Sequence, residues 1–230
     1  MKKIDVIVLT NSVTEKIIRM TRRTIISMKD AEDDFQFNII LMESGADKRN
    51  EYADIVDSYV TPQESFNYNK YINLATPHFR DGEFVVISNN DVGYEKGWLT
   101  EIMKVHSERP DIHSFSPKDP ALYLKYFDGH FLGHKETYWE NYKVTEGLMG
   151  WCLAIKREAF DAISPFDELF DMYYQDNDYT EMIRSKGIKH ALVRHSIVCH
   201  LETINITKLD EAKMKKMRVD EIKFNKKWKP

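Results

Sequence analysis

Glu83-Phe84-Val85-Val86-Ile87-Ser88-Asn89-Asn90-Asp91-Val92 decides how this chain is read. The apolar run from Phe84 to Ile87 is long enough for a strand buried on both faces. It ends abruptly in polar side chains. A strand of this kind delivers its last residues to the carboxyl edge of an open α/β sheet, where ligands bind. Asp91 is the one carboxylate at that end, and it would stand at the mouth of a crevice. A lone acid there suits a divalent cation, and a cation suits a phosphorylated ligand.

Upstream of this stretch, Ile4 to Leu9 reads as a first strand, buried except at Asp5. Thr10-Asn11-Ser12 turns the chain. Ser12 and Glu15 have capping-box spacing, which predicts a helix start. Ile17, Thr21, Ile25 and Met28 then share one helical face. Phe37 to Met42 reads as a second strand, ending at Glu43-Ser44-Gly45-Ala46-Asp47. A short strand is expected near Asp57 to Val60, and a helix over Asn67 to Ala75. Strands alternating with helices over the first hundred residues predict a parallel, doubly wound sheet.

Downstream, Pro110 to Thr145 has no clean period and reads as irregular structure over one side of the crevice. Gly150 to Ile155 is a strand candidate, and Arg157 to Ile163 a short helix. Asp178 to Lys186 reads as a helix ended by Gly187. Ala191 to Val198 contains another strand. The last twenty residues predict a helix with Met214, Met217, Phe224 and Trp228 on roughly one face.

The bulk composition narrows the classes. At 230 residues, with 42% hydrophobic content, a single domain with a real core is expected. Charged residues make up 30% and are spread along the chain, which argues against disorder. The net charge of −4 argues against a dedicated nucleic-acid binder. From Lys208 to Pro230, however, nine Lys/Arg face four Asp/Glu. Cys152 and Cys199 form neither a C-x-x-C pair nor a ligand cluster. The apolar run after Met1-Lys2-Lys3 is too short for a signal h-region or a membrane span. The expectation is a soluble cytoplasmic protein, with peripheral membrane contact through the basic C-terminal segment left open.

Several of these pieces, in this order, resemble family 2 glycosyltransferases of the GT-A type, from Ile4 to about Trp228. Thr10-Asn11 and Glu43-Ser44-Gly45-Ala46-Asp47 stand where that family has its first two nucleotide-binding turns. Phe66-Asn67-Tyr68-Asn69-Lys70-Tyr71-Ile72-Asn73 is similar to a signature of its rhamnosyltransferase-like branch. Ser88-Asn89-Asn90-Asp91 sits at the Asp-x-Asp position. Phe166-Asp167-Glu168-Leu169-Phe170 and Tyr174-Gln175-Asp176-Asn177-Asp178 resemble its base-bearing block. Phe224 to Trp228 is similar to its common ending. Two departures stand out: Asn89 replaces the first Asp of Asp-x-Asp, and Gln175 the Glu before the base.

The resemblance implies a mostly parallel sheet flanked by helices. Residues 1–100 would hold the donor nucleotide, 101–204 would form the acceptor half, and 205–230 a C-terminal helix. It implies an inverting hexosyl- or pentosyltransferase that uses a nucleotide-sugar donor and Mn2+ or Mg2+. Asp91 and His200 are the candidate metal ligands, and Asp176 the candidate general base. Thr10, Asn11, Glu43, Asn67, Lys70, Asn89 and Asn90 are candidates for donor binding. Trp151 and Asp178 are candidates for acceptor binding; Trp151 also fits the core, and Asp178 also fits a capping or orienting role. A neighbouring Asp178 would raise the pKa of Asp176 by like-charge repulsion. The acceptor is left open among glycan, lipid-linked sugar, protein and modified DNA base. Two other readings stay open: a nucleotidyltransferase making a sugar nucleotide, and a non-catalytic sugar-nucleotide-binding relative.

Overall fold

A computed structural model describes residues 1–121, 136–170, 173–201 and 211–229. Lys2–Thr10 (β1) lies parallel to Phe35–Glu43 (β2) on one side. On its other side it lies parallel to Phe84–Asn89 (β4). Ser58–Val60 (β3) extends the sheet beyond β2, also in parallel. Cys152–Lys156 (β8) then runs antiparallel between β4 and Ile112–Lys118 (β6). Lys189–His200 (β9) pairs parallel with β6. Val92–Tyr94 (β5) and Tyr138–Glu140 (β7) add to β9 in the antiparallel sense. The strand order is β3-β2-β1-β4-β8-β6-β9-β5. The sheet is therefore mixed but mostly parallel, with β8, β5 and β7 opposing the rest.

The central strands are apolar on both faces because each serves two cores. Ile4, Val6 and Val8 of β1, with Phe84 and Val86 of β4 and Cys152 and Ala154 of β8, meet one set of helices. That set is Glu15–Asp30 (α1) and Trp98–Glu108 (α3), through Ile25, Met28, Trp98 and Ile102. The intervening residues Ile7, Leu9, Val85, Ile87, Leu153 and Ile155 face the opposite way. They meet Tyr68–Ala75 (α2), Arg157–Ile163 (α4) and Gln175–Ser185 (α5). Side chains alternate along a strand with period two, so a continuous apolar run is what two-sided burial requires. Glu211–Trp228 (α6) packs Phe224 against the rings of Phe170 and Tyr174.

Four local expectations differ from what forms. The helix start expected at Ser12 moves to Thr14, whose side chain accepts a bond from the Ile17 amide; Ser12 is instead buried against Tyr52. Ile18 and Thr24, rather than Ile17, complete the inner face of α1. Asp5 is fully buried, not exposed. Its carboxylate takes the Arg157 guanidinium, Asn38 Nδ2 at 2.6 Å, and the amides of Arg80 at 3.0 Å and Gly82 at 3.1 Å. A buried charge survives by such pairing. Finally, β6 lies in the stretch expected to be irregular. Its serines hide the alternation because they are buried too: Ser114 bonds Tyr179 and His190, and Ser116 accepts the Met149 amide. Pro117 falls at a register shift between β6 and β9, where a missing amide is tolerated.

Candidate functional site

β1, β2 and β4 end at one edge of the sheet, and antiparallel β8 begins there. Four chain segments therefore converge at that edge. On the β1–β2 side, Glu43 is fully buried, and its Oε1 accepts the amides of Ser12 at 3.0 Å and Gly45 at 2.7 Å. Its other oxygen has no protein partner. Glu43 thus fixes both turns from below, while Asn11 is exposed on the surface above.

Beyond Asn89, the backbone leaves β4 and loses its strand neighbour. Helix α1 supplies the missing partners. Thr24 Oγ1 donates to the Asn90 carbonyl at 2.8 Å and accepts the Val92 amide at 3.0 Å, and Ser27 Oγ accepts the Tyr94 amide. Asn90 Nδ2 reaches Thr10 Oγ1 at 3.1 Å and Thr21 Oγ1 at 3.0 Å. Thr10 is itself buried. Thr10 and Asn90 therefore shape the bend that presents Asn89 and Asp91. Thr24 and Ser27 were missed in the sequence because hydroxyls at helical spacing look like an ordinary polar face.

The bend sets Asp91 beside His200, with Oδ1 and Nε2 3.1 Å apart. Asp91 precedes β5 and His200 ends β9, which are paired strands. Buried Asp119 accepts the His200 amide, and the Trp151 ring lies parallel to the imidazole with centroids 5.4 Å apart. Both side chains keep some exposure, 14% for Asp91 and 16% for His200, so a ligand can reach them. Neighbouring positions around an octahedral cation at about 2.1 Å lie about 3 Å apart, so this pair fits two ligands of one ion. One carboxylate and one imidazole form a mixed donor set that suits Mn2+ better than oxygen-seeking Mg2+. Among the described residues no group of three His, Cys, Asp or Glu comes together. The remaining ligands would then come from a bound diphosphate and water.

A cavity of about 360 Å³ opens next to this pair. Its walls include Tyr68, Asn89, Trp151, Tyr174, Asp176 and His200. Asp176 stands in the first turn of α5, where the helix dipole favours an acid, and Oδ1 accepts the Asn177 amide at 3.0 Å. Burial pushes its carboxyl above the ordinary carboxylate range. The cause is lost hydration, not the expected repulsion from Asp178. Gly150 makes room: a Cβ there would fall 2.8 Å from Asp176 Cβ. Thr145 and Tyr174, both on the cavity wall, hold left-handed φ values of 67° and 68°. Non-glycine residues adopt that conformation when the surroundings enforce it, and such residues cluster at functional sites.

Asp178 was expected at the acceptor site. It is instead fully buried, accepting Trp228 Nε1 at 2.6 Å and Lys227 Nζ at 2.8 Å on one oxygen. Burial raises its pKa against the lowering effect of Lys227 and Trp228. It anchors the end of α6, and α6 in turn grips the other flank of Asp176, where buried Asp220 accepts the Tyr173 amide. The turn that carries Asp176 is clamped from both sides.

Asn67 also has a structural task in place of the expected donor contact. It caps α2 through the Lys70 amide, and its own amide donates to the carbonyls of Glu168 and Phe170. Asn69 donates to the Asp167 carbonyl, and Asn73 both donates to and accepts from the Phe166 backbone. The two motifs around Phe66 and Phe166 thus recognise each other. Lys70 is half-buried on α2, outside the cavity wall. Of the residues singled out by sequence, the structure brings together Asn89, Asp91, Trp151, Asp176 and His200. Thr10, Glu43, Asn67, Asn90 and Asp178 support that cluster from behind.

No family model matches this sequence, and no curated protein matches it. Solved structures do match its fold. The crystal structure of GalNAc-T7 with UDP, GalNAc and Mn2+ is similar over 86% of this chain and 43% of that one, at 12% identity and a TM-score of 0.67. The mannosyltransferase PcManGT from Pyrobaculum calidifontis, in complex with GDP-Man and Mn2+, is similar over 86% of this chain and 56% of that one, at 16% identity and a TM-score of 0.62. The chain spans about half the length of these structures. At such identities the likeness is one of architecture, and the architecture is the GT-A glycosyltransferase fold.

Proposed function

We propose that this chain is a metal-assisted, inverting glycosyltransferase that moves a sugar from a nucleotide-sugar donor to a glycan hydroxyl. One observation carries the reading: Asp176 and His200 line the same cavity, and His200 Nε2 lies 3.1 Å from Asp91 Oδ1, although Asp91 and Asp176 are far apart in sequence. Both similar structures were solved with a nucleotide or nucleotide sugar and Mn2+, which supports the same ligand class here. Residues 1–100 would form the donor half, with Asn11 and the Glu43-shaped turn at the nucleoside and Asn89 nearest the sugar.

Asp91 and His200 would hold a divalent cation, whose chemistry is to offset the charge of the departing diphosphate. Asp176 takes the proton from the acceptor hydroxyl as its oxygen forms the new bond to the anomeric carbon. The bond to the diphosphate breaks on the opposite face, and the configuration inverts. A positioned base contributes about 10²–10⁴-fold. The burial that raises the Asp176 pKa makes it a stronger base. Trp151, Tyr68 and Tyr174 offer aromatic faces to the pyranose rings and keep water from the reacting carbon. Asn89 brings no charge to the position beside the donor, so cation binding leans on Asp91, His200 and the diphosphate.

Thermal-shift screening against UDP-, GDP- and dTDP-sugars, with and without Mn2+, identifies the donor. Asp176→Asn then abolishes transfer and leaves donor affinity nearly unchanged. Asp91→Asn removes the Mn2+ dependence of donor binding. Full transfer activity in Asp176→Asn would dismiss Asp176 as the base.

A further inference from the structure

The outer face of α6 takes no part in the clamp around Asp176. At 100° per residue, Arg218, Ile222, Lys215, Lys226 and Val219 fall within an arc of about 100°, opposite buried Phe224. All five are exposed; Ile222 is 68% and Val219 43% exposed. The arc also contains Glu211 at the start of the helix and Lys229 just beyond its end. The result is a basic stripe with Ile222 at its centre and Val219 along one edge, a short aliphatic ridge that lies between Arg218 and Lys226 along the helix axis. Soluble surfaces scatter exposed apolar residues singly, but here two branched aliphatics stand between three cations on a helix that is held in place. No helix among the described residues is long and apolar enough to cross a membrane.

We propose that this face of α6 docks the protein onto an anionic lipid surface. The charges match lipid headgroups, and the Ile222–Val219 ridge is what an acyl boundary accepts. A nucleic-acid backbone would use the cations but would have no place for the ridge. Because the inner face of the same helix grips the segment around Asp176, docking would hold the cavity close to the bilayer. The inference does not depend on the proposed transferase chemistry.

The test is sedimentation of the full chain with vesicles of phosphatidylcholine, with and without phosphatidylglycerol, at low and high salt. Binding is expected with the anionic vesicles alone and should weaken as salt rises. The triple variant Lys215→Ala, Arg218→Ala, Lys226→Ala keeps good helix formers on the face. Each basic residue at an anionic surface is worth about fivefold, so the triple variant should bind about 10²-fold more weakly. Val219→Ser with Ile222→Ser should also weaken binding, with the charge unchanged. Absent binding to anionic vesicles, equal binding to neutral ones, or an unaffected triple variant would overturn the proposal. So would tight, salt-sensitive binding to duplex DNA that ignores the Val219/Ile222 change, which would assign the face to nucleic acid.

Discussion

Replacing Trp228 with Phe tests whether α6 clamps the turn that carries Asp176. The indole nitrogen donates to Asp178 Oδ1 at 2.6 Å, and the Asp178 side chain is fully buried. The other carboxylate oxygen already lacks a protein partner. Phe keeps an aromatic ring but removes the donor. A hydrogen bond to a charged group contributes about 1.5–3 kcal/mol. The smaller ring forfeits about 1 kcal/mol of apolar burial. Lys227 still neutralises Asp178, so the charge is not abandoned and the loss stays below that of an orphaned ion. The expected destabilisation is about 2.5–4 kcal/mol, or about 5–15 °C in Tm for a chain of this size. Urea denaturation followed by tryptophan fluorescence and by circular dichroism measures it. In a double-mutant cycle with Asp178→Asn, the two losses should be strongly non-additive. A loss below about 0.5 kcal/mol, the range of ordinary surface changes, would refute the clamp.

If Asp176 is the base, as proposed, Gly150→Ala should leave donor-induced thermal stabilisation intact and lower turnover by about 10–10²-fold, because the new Cβ must displace the Asp176 side chain it abuts; unchanged turnover would show that the contact is irrelevant. Asp176→Asn should gain stability over the wild type at neutral pH. The folded-state pKa of Asp176 lies above its unfolded value, so the wild type loses stability as pH rises through that interval. The advantage of the variant should therefore vanish below about pH 4, where both forms are uncharged; a difference independent of pH would reject a burial-raised carboxyl.

The strands of the N-terminal half were legible because two-sided burial writes itself as mainly apolar runs: Ile4 to Leu9, broken only by Asp5, Phe37 to Met42, broken only by Asn38, and Phe84 to Ile87 all lie within observed strands. The polar break after Ile87 correctly located the edge at which the cavity opens. Other features were hidden because a polar residue can be interior. Ser114 and Ser116 disguise β6, and Asp5 looked like a surface residue although three chain segments supply its partners. The same blindness affected the site. Asn67, Asn90 and Asp178 carry the right chemistry for a ligand, yet they are engaged by backbone groups, by the Thr10 and Thr21 hydroxyls, and by the end of α6, respectively. Sequence spacing shows which side chains are near the edge. It does not show which of them are already satisfied, and that difference separates Asp176 from Asp178 two positions later.

The alternation of β8 between two cores has a consequence for which length changes the chain can tolerate. Removing one residue inside Cys152–Lys156 would move Leu153 and Ile155 into the layer fitted to Cys152 and Ala154, and the small side chains into the layer fitted to the large ones. Two helical layers would be mispacked at once. It would also drag Gly150 away from Asp176. Insertions and deletions among homologues should therefore fall in the connecting loops, while the span from Gly150 to Lys156 keeps a constant length even where its residues change.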